Sequence, residues 1–179
     1  MASEASAPSR TPFRKRLQKE LEGLKARGSE DGIAVQECDD ETWCIQVLGA
    51  PGTIYAGEQF LLRFKFPPRY PLESPEVVFE GPSPVHPHIY SNGHICLSIL
   101  YDAWSPALTV HAVCMSIVSM LSSAQEKVRP QDDAAYVSRV GHRSPKLLTK
   151  LASAMGFQSN AGGTRREKQS RWHFDDDRI

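Results

Sequence analysis

The chain has 179 residues, is 40% hydrophobic and carries 21 basic and 21 acidic side chains, a composition that suits one domain with a real core and some non-globular flank. The even charge balance excludes the overall field by which nucleic-acid and anionic-membrane binders draw their partners, and no apolar run approaches the ~20 residues that span a bilayer. Four cysteines, at 38, 44, 96 and 114, make no CxxC pair, and the opening Met1-Ala2-Ser3-Glu4 stretch leads into no apolar segment of signal-peptide length, so a reducing cytosol or nucleus is expected.

Residues 1–11 are small, polar and interrupted by proline, too poor in apolar groups to offset the entropy of ordering, and read as a flexible tail. From Pro12, a good first helical residue, Phe13, Leu17, Leu21 and Leu24 recur at helical spacing until Gly28, with Arg14, Lys15, Arg16 and Lys19 on the other faces. Ile33–Cys38, Thr42–Leu48, Phe60–Phe66 and Val77–Phe79 are rich in β-branched and aromatic residues and are separated by turn signals, which predicts a four-stranded antiparallel meander. Ser105-Pro106 reads as the opening of a second helix, whose Leu108, Val113, Ile117, Val118, Met120 and Leu121 are apolar enough to cross the domain centre. Asp132–Val140 and Lys146–Met155 follow as helical segments divided by Gly141 and Ser144-Pro145. Residues 156–171 read as a linker or tail, closed by the aromatic and acidic Trp172-His173-Phe174-Asp175. One α+β domain over 12–155 is expected, flanked by flexible tails at 1–11 and 156–179.

The chemistry concentrates between these elements, in Val85-His86-Pro87-His88-Ile89-Tyr90-Ser91-Asn92-Gly93-His94-Ile95-Cys96-Leu97. Pro82, Pro84 and Pro87 restrict the approach, Asn92-Gly93 permits a turn with positive φ, and three histidines lie within ten residues of Cys96. A thiol held in such a frame can carry a covalent intermediate. An ordinary thiol of pKa about 8.5 is only a few per cent thiolate at neutral pH, so accessibility matters more here than extreme acidity.

With Trp104-Ser105-Pro106-Ala107-Leu108 added, this run resembles the ubiquitin-conjugating enzymes, whose hallmark is His-Pro-Asn, a cysteine nine residues beyond the proline, then Trp-Ser-Pro-Ala-Leu. The cysteine register is the same; the third motif residue is His88 instead of asparagine. His-Pro-His and the aromatic, acidic end resemble the W-type branch, known for attaching ubiquitin to α-amino groups. The resemblance covers about residues 13–136. It implies the ubiquitin-conjugating fold: N-terminal helix, four-stranded meander, cysteine loop, central helix and C-terminal helices.

The resemblance further implies that Cys96 accepts ubiquitin from a separate activating enzyme and loses it to an amine. No GxxxxGK[ST] nucleotide loop is present, so ATP and magnesium would serve the activating enzyme and this chain would need no cofactor. His88 would supply, through a ring N–H, the donor that the family's asparagine is assigned, or brace the loop; His86 and Asn92 complete the frame. Arg14 and Lys15 would meet the activating enzyme. Leu72, after Tyr70-Pro71, and Ser105, Pro106 and Ala107 would meet RING or U-box ligases. Relatives place an aspartate after the second helix to orient or deprotonate lysine; the matching stretch here is Glu126-Lys127-Val128, with Asp132, Asp133 and Trp172 as other candidates for that gate. An α-amine, at about 7.7–8.0 against about 10.4 for lysine, reaches its neutral form roughly 3.5 kcal/mol more easily, so a weak gate suits α-amine transfer to flexible N-termini. No nucleic-acid or membrane partner is expected.

Three other chemistries fit parts of this motif. His86, His88, His94 and Cys96 are legitimate zinc ligands, but the Pro87 restraint and the spacing disfavour a metal site. A cysteine hydrolase leaves Trp104-Ser105-Pro106-Ala107-Leu108 without a role. A ubiquitin-binding adaptor on the same fold is the third, although inactive variants of the family lack the cysteine. His94 is read as an exposed residue on the side of Cys96, and Cys38, Cys44 and Cys114 as buried thiols.

Overall fold

A computed structural model describes residues 12–39, 41–141 and 143–145. The tails expected at 1–11 and 156–179, the helix expected over Lys146–Met155 and the gate candidate Trp172 lie outside the described residues.

Helix α1 spans Pro12–Arg27 and buries Leu17 and Leu24. Gly28 closes it at φ 63°, a conformation that suits a residue without Cβ. Four strands follow, β1 Ile33–Cys38, β2 Thr42–Leu48, β3 Gln59–Lys65 and β4 Glu76–Glu80, paired antiparallel in the order β1-β2-β3-β4. The expected meander is therefore present, with β3 beginning and ending one residue early and β4 longer by one residue at each end. A register shift between Val35 and Glu37 interrupts the β1–β2 ladder.

Alternation places Trp43, Ile45 and Val47 of β2 and Phe60, Leu62 and Phe64 of β3 on the buried face. Helix α2, Val110–Ser123, lies against that face and buries Val110, Val113, Cys114, Ile117, Val118 and Leu121. Its start corrects the expectation at Ser105-Pro106. The Leu108 N–H donates to the Ser105 carbonyl in a turn of its own, and Thr109 caps α2 by accepting the Ala112 N–H at 3.1 Å. Cys114 is fully buried, and desolvation pushes its thiol far up. Cys44, in contrast, is only partly covered: strand alternation turns it to the outer face, where its Sγ lies 3.6 Å from Glu80 Oε2.

One charged residue belongs to the interior. Glu20, on the edge of the α1 stripe, is 9% exposed and accepts hydrogen bonds from the Tyr70 hydroxyl and the Val110 N–H, each at 2.6 Å, and from Arg16. It thereby places a carboxylate at the first turn of α2, where the helix dipole and an otherwise orphaned N–H favour it. Arg16 also donates to the Leu108 carbonyl, so this basic residue, expected on an outer face, is bound inward. Beyond α2, residues 124–132 lead to helix α3, Asp133–Val140.

Candidate active site

Residues 81–109 join β4 to α2, and within them the 82–97 stretch is held from several directions. The Tyr55 hydroxyl donates to the Val85 carbonyl at 2.6 Å. The Arg129 guanidinium donates to the carbonyls of Ser83, Pro84 and Ile89. His86 is 1% exposed and spans the gap to the end of α2. Its Nδ1 accepts the His88 N–H at 2.9 Å, so the ring proton sits on Nε2 and is donated to the Met120 carbonyl at 3.1 Å. Burial, above all, and the nearby His88 push the His86 pKa below the ordinary histidine value against the opposing pull of the Met120 carbonyl. With both nitrogens engaged, His86 has no lone pair to offer a cation. Among the described residues there is no group of three or more His, Cys, Asp or Glu arranged to hold a metal ion.

The Asn92-Gly93 signal is realised as a tight turn: the Tyr90 N–H donates to the His94 carbonyl and the Gly93 N–H to the Tyr90 carbonyl. Gly93 sits at φ 85°, and a Cβ there would lie 2.2 Å from the Phe79 carbonyl oxygen, so only glycine fits against β4. Cys96 follows, its N–H donating to the His88 carbonyl at 2.8 Å. Ile95 before it is buried and Leu97 after it partly covered, while Cys96 itself is exposed.

His94 overturns the expectation that it shares the exposed side of Cys96. It is 4% exposed, pairs across an isolated bridge with Val78, and lies beneath Tyr136 of α3. A two-residue bridge between turns does not impose the strand alternation on which that expectation rests, and the packing of α3 over His94 has no local signal. Asn92 is likewise structural in its contacts: its Oδ1 accepts the His94 N–H and its Nδ2 donates to the Gly141 carbonyl. His88 uses both its backbone groups to brace the loop and leaves its ring exposed, 5.5 Å from that of His86.

The gate candidates separate. Glu126 is exposed, Val128 is 40% exposed, and Lys127 turns away to pair with Glu58 over the Tyr55 ring. Asp133 is spent on the Ser91 N–H at 2.7 Å. Asp132 also reaches the cysteine loop: its Oδ2 lies 3.4 Å from the Tyr90 hydroxyl. Of the candidates after α2, Asp132 and Asp133 therefore touch the cysteine loop, whereas Lys127 is paired elsewhere. Around Cys96 stand three tyrosines that motif reading passed over. Desolvation first, then charge on Asp132 and Cys96, pushes the Tyr90 phenol up to about 12; Tyr101 and Tyr136 are also raised, first by burial and further by charge on Cys96. The only signal for them in the sequence was aromatic content near the motif.

Two further surfaces lie apart from the sulfur. Leu72 is 68% exposed, and Ser105, Pro106 and Ala107 are exposed beside it in a loop that the Trp104 Nε1–H ties to the Pro71 carbonyl at 2.8 Å. An open groove of about 950 Å³ runs along this corner, lined by Pro67, Pro68, Leu72, Tyr101 and Trp104. Arg14 and Lys15 are exposed on α1.

The exposed Cys96 thiol stands on a loop held by His86, Arg129 and Tyr55, and the chain around it matches a family profile described as ubiquitin-conjugating enzyme over residues 16–150. The chain belongs to the ubiquitin-conjugating enzymes. A probable ubiquitin-conjugating enzyme E2 W of Dictyostelium discoideum is 61% identical over 135 residues, covering 75% of this chain and 90% of that protein. The ubiquitin-conjugating enzyme E2 W of Caenorhabditis elegans is 58% identical over 128 residues, covering 69% of this chain and 84% of its own. Among solved structures, a ubiquitin-conjugating enzyme E2 from Agrocybe aegerita superposes with a TM-score of 0.69 at 41% identity, over 72% of this chain and 94% of that one. The enzyme is thus a ubiquitin-conjugating enzyme of the W-type branch with the expected α+β fold, and its family implies ubiquitin, an activating enzyme and ligases as partners.

Proposed function

We propose that Cys96 accepts the C-terminal carboxyl of ubiquitin as a thioester and transfers it to the α-amino groups of flexible substrate N-termini, with ligase assistance. In the first step the Cys96 thiolate attacks the carbonyl of the thioester on the activating enzyme; a new C–S bond forms and that enzyme's thiolate leaves. In the second an amine attacks, the C–N bond forms, the amine loses a proton, and the Cys96 thiolate departs. The observation that carries this reading is the exposure of Cys96 on a loop fixed by His86, Arg129 and Tyr55. Such fixation supplies the positioning that bimolecular acyl transfer requires.

In this reading the exposed His88 ring donates to the oxyanion of the second step, a contribution typically worth about 10²–10³ in rate. The α-amine preference rests on the likeness to enzymes named E2 W and on amine acidity, since an α-amine needs less help to shed its proton. Leu72, Ser105, Pro106 and Ala107 form the ligase-facing surface, and Arg14 and Lys15 that for the activating enzyme. No cofactor is required on this chain, no nucleic acid or membrane takes part, and the site of action is cytosolic or nuclear.

Incubation with ubiquitin, activating enzyme and ATP should yield an adduct at Cys96 that reducing agent removes. A lysine-free peptide with a free N-terminus should then discharge it faster than free lysine does. The reverse ranking refutes the α-amine preference; absence of any adduct favours an adaptor role.

A further inference from the structure

Helix α3 is fastened to the cysteine loop along its whole length. At its start Asp133 accepts the Ser91 N–H, and just past its end the Gly141 carbonyl accepts from Asn92. Between these two ties the Tyr136 ring stacks on Tyr90, centroids 3.8 Å apart and 18° from parallel. The Tyr136 hydroxyl lies 2.9 Å from Nδ1 of the buried His94. The stack on one face and the bond at the hydroxyl together hold the ring plane and its oxygen in place.

The phenols near Cys96 are not equivalent. Tyr101 spends its hydroxyl proton on the Ile95 carbonyl at 3.1 Å, behind the cysteine. Tyr90 directs its hydroxyl to Asp132. Tyr136 is only partly buried, is within reach of the Asp132 and Cys96 charges, and has its hydroxyl orientation set by His94 from the interior side. A phenolic oxygen carries two lone pairs and one proton, so a Tyr136 that bonds His94 through one of them still presents acceptor capacity to a group approaching from solvent.

We propose that Tyr136, oriented by His94, is a docking point for the attacking amine: its hydroxyl oxygen accepts an amine N–H while Asp132 supplies the favourable charge beside it. This rests on the reading of Cys96 as the ubiquitin-bearing residue. Neither α-amine nor lysine ε-amine is excluded by such an acceptor, since both offer N–H donors; Tyr136 sets where the nitrogen waits, not which amine it belongs to. His94 is a positioning residue, acting through Tyr136.

The test is single-turnover discharge of ubiquitin-charged enzyme at increasing concentrations of a peptide with a free N-terminus, for the wild type, Tyr136→Phe and His94→Gln. Rates are counted per molecule of charged enzyme, so differences in loading drop out. Tyr136→Phe keeps the stack on Tyr90 and removes only the oxygen. It should raise the peptide concentration for half-maximal rate about three- to tenfold, the ordinary worth of one neutral hydrogen bond, with the limiting rate changed less than twofold. His94→Gln should shift the same parameter in the same direction by a smaller factor. An unchanged half-saturation in Tyr136→Phe, or a loss confined to the limiting rate, overturns the proposal while leaving Cys96 as the ubiquitin carrier. A wild type that forms no thioester overturns both.

Discussion

His86 offers the sharpest check on how the cysteine loop is held. In His86→Phe a ring of similar size fills the site, but the His88 N–H loses its acceptor and the Met120 carbonyl its ring donor. The Met120 carbonyl keeps the Ser123 hydroxyl at 2.8 Å, so the principal loss is one stranded N–H. A stranded polar group costs about 1–3 kcal/mol, and for a chain of this size each kcal/mol lowers Tm by about 2–4 °C; the expected fall is therefore about 2–12 °C. The pH dependence is more telling than the size. Because the folded pKa of His86 is depressed, its stabilising effect is complete above the ordinary histidine value, about 6.5, and is lost as pH falls toward the folded value, over which the unfolded chain binds the extra proton. Protonation would set an Nδ1–H against the His88 N–H. Denaturant titrations at pH 7.5, 6.5 and 5.5 should show the wild type losing up to about 1.4 kcal/mol per pH unit relative to His86→Phe within that window. A stability gap between the two that stays constant with pH refutes the buried neutral tautomer and with it this account of the brace.

Three other outcomes follow from the same geometry. Gly93→Ala adds a Cβ 2.2 Å from the Phe79 carbonyl at positive φ and should cost about 1–3 kcal/mol or more with loss of thioester formation, measured by thermal unfolding and loading. Glu20→Ala leaves Arg16, the Tyr70 hydroxyl and the Val110 N–H without their common acceptor and should destabilise by about 3–5 kcal/mol, with Glu20→Gln milder; an unaltered Tm for Glu20→Ala would contradict the lock between α1 and α2. His88→Ala should slow discharge of charged Cys96 about 10²-fold with little effect on Tm, because its backbone does the bracing, and His88→Asn should recover much of the rate; equal turnover in both variants and the wild type would remove the ring from the chemistry.

How much was legible in the chain varied with the range of the signal. Helix α1, the meander and the Asn92-Gly93 turn rest on local periodicity and on backbone preferences of Pro12, Gly28 and Gly93, and all three stand where expected. Ser105-Pro106 is a good helix opening in isolation, but the turn at Ser105–Leu108 and the cap at Thr109 take precedence and start the second helix later. Strand alternation would put His94 beside Cys96, but it does not hold across a two-residue bridge, and His94 is buried. Lys127 belongs to the stretch that matches the gate in sequence, yet Glu58 and Tyr55, 69 and 72 residues away, hold its ammonium.

By itself the sequence determined the order of the elements, the family, and which sulfur stands at the end of a proline-stiffened turn, because each depends on residue types at fixed short spacings. Only the tertiary structure decided that Glu20 is an interior acceptor, that Asp132 meets the Tyr90 hydroxyl, and that α3 brings Tyr136 over His94. Those facts come from segments far apart in the chain meeting in space, and no local pattern of charge or hydrophobicity records which distant groups will be there to satisfy a buried proton or carboxylate.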